Sequence, residues 1–219
     1  MSKDLVLSVD CLSVDCLAGP CEPLEKHSVE VATCVEKRGQ LVAKKIARVF
    51  GASEDEVLDL MVFGALAHDV GKSDVTFKGS NGFYPMHEAR STAFVLYVFD
   101  KAGLRPSCSL EGRSLADLVL AMVALHHYSH KDYRISKPVG LTPRCPLNWF
   151  LEWAPKTQLG RRIREIALSV RDVSETQCHA DIISTIGKPL NTKLSMAVSA
   201  LLGVLGKCDV EVAKRNRCD

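Results

Sequence analysis

The chain has 219 residues, 47% hydrophobic and 25% charged, which is enough to bury a core and requires no more than one domain. The formal charge of +2 demands no polyanion partner, but residues 1–130 carry 13 basic and 17 acidic side chains and residues 131–219 carry 15 and 9, so a nucleic-acid-facing surface toward the C-terminal half is permitted. No basic leader followed by an apolar run is present, nor any stretch of about 18 apolar residues, so a cytoplasmic protein without membrane contact is expected. Residues 1–23 read as an irregular N-terminal segment. Beyond it, helical periodicity predicts helices near 24–50, 54–70, 86–103, 113–130, 158–173 and 190–214, an all-α protein. Ser53 with Glu56 predicts a capping box, and Gly71 is placed to end the second helix. Residues 73–85 read as a polar, Gly-containing loop, and residues 131–157, with four prolines and both tryptophans, as an irregular, partly packed insertion.

Nine cysteines are scattered without a Cys-x-x-Cys pair, and the odd total argues against a fully paired secreted framework. Buried free thiols are the favoured reading, with intracellular disulfides of a heat-adapted protein left open.

The apolar stripes carry the functional signal. His27 precedes Val31, Val35, Val42, Ile46 and Val49 on one helical face, and Val57, Leu60, Met61 and Gly64 lead to His68. His87 opens the stripe of Ser91, Phe94, Val95 and Val98, Leu115, Val119 and Met122 lead to His126, and Leu194, Val198, Leu201 and Leu205 lead to Asp209. One such histidine is commonly a core residue bonded to a carbonyl. Five polar groups at the ends of core-facing stripes predict one buried convergence point, because burying each one unpaired costs about 2–7 kcal/mol unless a shared cation offsets it. Imidazole and carboxylate without thiolate suit Zn, Mn, Fe, Co or Ni, and with more carboxylate or water also Mg. The adjacent pairs His68-Asp69 and His126-His127 approach such a point from two directions. Asp74 is expected to face solvent, and His179 to be structural.

The ordered set His27, His68-Asp69, His87, His126-His127 and Asp209, with Ala-His-Asp-Val-Gly-Lys at 67–72, resembles the HD phosphohydrolase superfamily. Within it the chain is most similar to the stand-alone CRISPR-associated HD nuclease subunit of archaeal type I interference systems. The motifs are His-Ser-x-x-Val-Ala at 27–32, Leu-His-His at 125–127, and Lys207-Cys208-Asp209 with Arg215 downstream; Glu88 departs from the usual serine after His87. The resemblance implies one HD domain over 1–219, with one metal held by His27, His68, Asp69 and Asp209 and a second by Asp69, His87, His126 and His127. It makes Asp69 the bridge and Lys72 a contact to the scissile phosphate. The implied activity is cleavage of single-stranded DNA by two-metal activation of water, with two Mn, Fe, Ni, Co or Mg ions. The implied partners are a helicase subunit and a guide-RNA-containing interference complex. Tyr128, His130 and Arg215 are candidate DNA contacts, and Phe77, Phe83, Tyr84 and Tyr133 could stack on bases. A nucleotide or cyclic-nucleotide hydrolase, and an HD scaffold inactive alone, are the alternatives. The paired histidines weigh against single-metal nucleotidases. The absence of a Gly-Tyr-Pro motif weighs against the cyclic-dinucleotide branch.

Overall fold

The computed structural model describes residues 16–77, 84–109, 114–127, 137–185 and 192–217. A short hairpin, β1 (Leu17–Gly19) and β2 (Glu22–Pro23), leads into α1 (Leu24–Arg38), α2 (Gln40–Phe50) and α3 (Glu54–Ala67). After a 3-10 turn at Val70–Ser73 come α4 (His87–Ala102) and α5 (Leu115–Leu125). Strand β3 (Val139–Leu141), a 3-10 segment at Asn148–Glu152, α6 (Gln158–Ser169), strand β4 (Val173–Thr176), α7 (Cys178–Ser184) and α8 (Thr192–Asn216) complete the chain. Helices dominate; β1–β2 and β3–β4 are two small antiparallel pairs.

Helices α3 and α5 form the centre. Every residue from Val57 to Ala67 is buried, as is every residue from Ala116 to Leu125, so these helices are covered on all sides instead of showing one apolar face. They approach each other at Gly64, where a Cβ would collide with Met122 and Val119. Around them pack α1, α2, α4, α6 and α8. Ser53 accepts from the Glu56 amide at 3.1 Å to start α3, and Ser114 with Asp117 completes a capping box on α5.

Three expectations change. The helix foreseen over 24–50 breaks at Gly39, whose Cβ would meet Met61 Cε at 2.7 Å; the glycine lets α3 lie in the elbow. The break resets the helical phase, so α2 buries Ala43, Ile46 and Ala47 and leaves Val49 52% exposed. Helix α3 ends at Ala67, and Gly71 instead sits where any side chain would strike the His87 carbonyl. In the described part of the 131–157 insertion, Leu141, Leu147, Trp149, Phe150 and Trp153 are buried among exposed and half-buried residues, and Trp149 Nε1 donates to the Leu66 carbonyl at 3.2 Å. Helix α7 has no counterpart among the foreseen helices.

The cysteines also depart from the free-thiol expectation. Disulfides join Cys16 to Cys145, Cys34 to Cys208 and Cys108 to Cys178. Partners lie 70 to 174 residues apart, which is why no spacing announced them. Among the described residues, no helix is long and apolar enough to cross a membrane.

Candidate metal centre

The stripe-end residues converge. His27 lies in the first turn of α1, His68 and His126 cap the C-termini of α3 and α5, His87 opens α4, and Asp209 lies on the inner face of α8. Asp69 and His127 follow the two capping histidines. Donor atoms of Asp69, His87, His126 and His127 all lie within 4.8 Å of one another, as do those of His27, His68 and Asp209.

Asp69 stands between the two groups with one oxygen toward each. Its Oδ1 is 3.1 Å from His87 Nε2 and 3.6 Å from His126 Nε2. Its Oδ2 is 3.5 Å from both His27 Nε2 and His68 Nε2. Asp209 Oδ1 closes the second group, 3.1 Å from His27 Nε2 and 3.9 Å from His68 Nε2.

Three of the imidazoles are oriented by the same local device. The Nδ1–H of His68 donates to the Ala65 carbonyl at 2.6 Å, that of His126 to Val123 at 2.6 Å, and that of His87 to Tyr84 at 2.8 Å, each three residues earlier. At the ends of α3 and α5 those carbonyls belong to the last turn, which lacks intrahelical partners, so one bond satisfies the helix end and turns Nε2 inward. The negative C-terminal ends of both helices also favour a cation. At α4 the chain turns through Met86 at φ 63°, in the left-handed region, immediately before His87. His27 is oriented differently: its Nδ1 lies 2.8 Å from Glu22 Oε1 on β2.

The result is a set of buried atoms with nothing to bond. The Nε2 atoms of His27, His68, His87 and His126 and Oδ1 of Asp69 are all buried without a hydrogen-bond partner. Buried polar atoms are otherwise almost always satisfied. Five orphans aimed at one another, all nitrogen and carboxylate oxygen, fit divalent cations.

The electrostatics agree. Burial opposes a charged Asp69, but Lys72, then His68, His126 and His87, overcome it and hold the carboxyl well below the usual range. Burial also opposes charge on Asp209, which is nevertheless held low by His27 and His68. Burial pushes His127 down to about 3, with His126 adding to the shift, and pushes His87 down as well. These two stay neutral and keep lone pairs available. Burial disfavours charge on His27 too, yet Asp209, Glu22 and Asp69 hold it at about 9. The protein's field thus retains a positive charge where the orphaned nitrogens meet.

Of the other expected residues, Lys72 adjoins Asp69 and the remaining described ones belong to neither donor group. Lys72 is buried, its Nζ 2.6 Å from Asp69 Oδ2 and donating to the Ala18 carbonyl at 2.9 Å. Asp74, expected in solvent, is buried and accepts from the Thr76 amide and hydroxyl and from the Thr142 amide, so it pins the loop to β3. Phe77 and Tyr84 pack edge to face in the interior and are not free to stack on bases. Arg215 pairs with Glu30 at 2.7 Å on an exposed face. His179 bonds the Ala124 carbonyl at 3.0 Å behind α5 and belongs to neither donor group. Tyr128, His130, Phe83 and Tyr133 lie outside the described residues. Sequence reasoning missed Glu22 and Arg217, whose Nε donates to Glu22 Oε2 at 2.8 Å. Neither shares a periodic stripe with a ligand, and the one available hint is Glu22 beside Pro23 ahead of the His27 motif.

No curated protein matches the chain. A family model described as Cas3, HD domain matches residues 17–204, from β1 into α8, and so includes every converging side chain except Asp209. On a match over most of its length, the chain belongs to the Cas3 HD domain family, the metal-dependent HD nucleases of CRISPR systems.

Proposed function

We propose that this chain, acting as one HD domain over residues 1–219, hydrolyses phosphodiester bonds of single-stranded DNA at a two-metal centre. The observation that carries this reading is Asp69, which presents one oxygen to each of two donor groups. His27, His68 and Asp209 would hold one divalent ion, His87, His126 and His127 the other, and Asp69 both. Bound there, Mn, Fe, Ni, Co or Mg ions would supply positive charge to the phosphoryl oxygens and lower the pKa of water.

The side chains do the rest. The backbone-held imidazoles keep their Nε2 lone pairs inward, so the donors need no rearrangement when ions enter. Lys72, buried against Asp69, fixes that carboxylate's orientation and offsets part of the local negative charge. His126 and His127, the latter held neutral by burial, border the half-buried rim, where the strand would approach. A single strand fits this role because its phosphates can reach a recessed centre without a second strand in the way. In the cell the DNA would come from a helicase subunit working with a guide-RNA-containing interference complex in the cytoplasm. Arg215, Tyr128 and His130 are retained as candidate strand contacts.

The test is purified protein with Mn, Ni, Co or Mg against labelled single-stranded DNA, double-stranded DNA and a nucleotide panel. Metal-dependent cutting of the single strand is expected, abolished in a His68→Ala, Asp69→Ala double variant. Nucleotide turnover with intact DNA, or unchanged cleavage by the double variant, would overturn the reading.

A further inference from the structure

The local device that orients His68, His87 and His126 is not open to His27. It is the fourth residue of α1, and the carbonyl three residues earlier, Leu24, points along the helix axis toward the Ser28 amide. Its Nδ1 therefore needs a partner from outside the helix. Glu22 provides it from β2, with both side chains fully buried. The second carboxylate oxygen of Glu22 is taken by Arg217, which follows the last residue of α8.

The surroundings hold this pair in place. Arg217 lies across Gly19 so closely that a Cβ there would stand 2.5 Å from its Nε. The hairpin is tied down by the Cys16–Cys145 disulfide and by the Leu24 amide, which donates to the Cys16 carbonyl at 3.0 Å. The same hairpin supplies the Ala18 carbonyl that holds Lys72. Two groups bearing on the centre thus lean on residues 16–23.

We propose that Glu22, locked by Arg217, is a positioning residue for the His27, His68, Asp209 site. It accepts from Nδ1–H of His27 and so aims Nε2 at the site, where an ion would displace the Nε2 proton, and its charge strengthens that nitrogen as a ligand. This rests on the two-metal reading above. A carboxylate behind a ligating imidazole typically changes metal affinity about 10- to 100-fold when removed. Because Glu22 touches neither His87, His126 nor His127, the effect is confined to one of the two sites.

The experiment is Mn(II) titration of chelator-treated full-length protein, by calorimetry and by electron paramagnetic resonance, in the unmodified chain and in Glu22→Ala, Glu22→Gln and Arg217→Ala. Melting of the metal-free proteins monitors folding. The unmodified chain is expected to bind two ions with a spin-coupled signal. Glu22→Ala weakens one site about 10- to 100-fold, leaves the other within about twofold, and replaces the coupled signal by that of an isolated ion. Glu22→Gln, which keeps an acceptor but not the charge, and Arg217→Ala give smaller losses at the same site. Two unchanged sites in Glu22→Ala, or equal weakening of both, overturns the proposal. If Glu22→Ala does not fold, Glu22→Gln decides by the same outcomes. One ion in the unmodified chain defeats the two-metal reading alone, and the proposal then stands or falls on whether Glu22→Gln lowers that ion's affinity. No ion defeats both.

Discussion

The two halves of the centre are built by different means. His68, His87 and His126 are each oriented by a carbonyl three residues away, so the fold need only form the local turn for the nitrogen to face inward. The His27 and Asp209 half depends on distant residues. Glu22 and Arg217 are 195 residues apart, and Cys34, on the helix that carries His27, is bonded to Cys208 across a separation of 174, next to Asp209. The half of His87, His126 and His127 is therefore as robust as its helix ends, whereas the half of His27, His68 and Asp209, in which only His68 is fixed locally, is as robust as the docking of α8 and the hairpin onto α1. Asp69 belongs to both.

The largest effect comes from removing that shared member. Asp69→Ala is expected to lower single-strand cleavage on the order of 10³-fold or more, as for groups that act as a unit. It also leaves Lys72 buried without its carboxylate and four imidazoles without a common counter-charge. Metal addition makes the same point through stability. An ion at 100 times its dissociation constant raises folding stability by about 2.7 kcal/mol, so the melting temperature of the unmodified chain should climb with Mn and fall back on chelation. Asp69→Ala should show little of that rise. A full metal-induced shift in Asp69→Ala would mean that each donor group binds without the shared carboxylate, and the two halves would be independent sites.

Next in size is the Cys34–Cys208 link. Replacing both cysteines by alanine is expected to cost about 2–4 kcal/mol in a denaturant melt, through freedom returned to the unfolded chain. If distant contacts hold the His27 half, the same variant also weakens the ion bound by His27, His68 and Asp209 more than the ion bound by His87, His126 and His127. Equal affinities for both ions before and after would show that α8 stays docked without the link.

The same division explains what was legible in the sequence. The five ligand-bearing stripes were readable because an apolar period ending in histidine or aspartate is a local pattern, and the helices carrying them are present. The split of residues 24–50 was not, because Gly39 keeps helical dihedrals (φ -78°, ψ -10°) and a lone glycine in an apolar period does not announce a break. Asp74 looked like a loop carboxylate, and its burial depends on Thr142 arriving from 68 residues away. Glu22 carries no periodicity, and its role appears only when the end of α8 brings Arg217 to it. What local geometry decides, the sequence shows; what docking decides, it does not.

The smallest effect gives the sharpest check on the local half. Ser114 opens α5, accepting from the Asp117 amide at 3.1 Å, while its own amide and hydroxyl donate to the Asp117 carboxylate. Ser114→Ala removes the cap and is expected to cost about 1 kcal/mol of stability, measured by denaturant midpoint. The carboxylate of Asp117 keeps its bonds from the Ser107 amide and hydroxyl, so Ser107 stays attached to the start of α5. His126 sits at the opposite end of the same helix, and its orientation depends on Val123, not on the first turn. Metal affinity at His87, His126 and His127 should therefore stay within about twofold while stability drops, since end effects in a helix fade within a turn. A parallel loss of metal affinity would show that α5 transmits its fraying along its whole length, and that the carbonyl bond alone does not fix the imidazole.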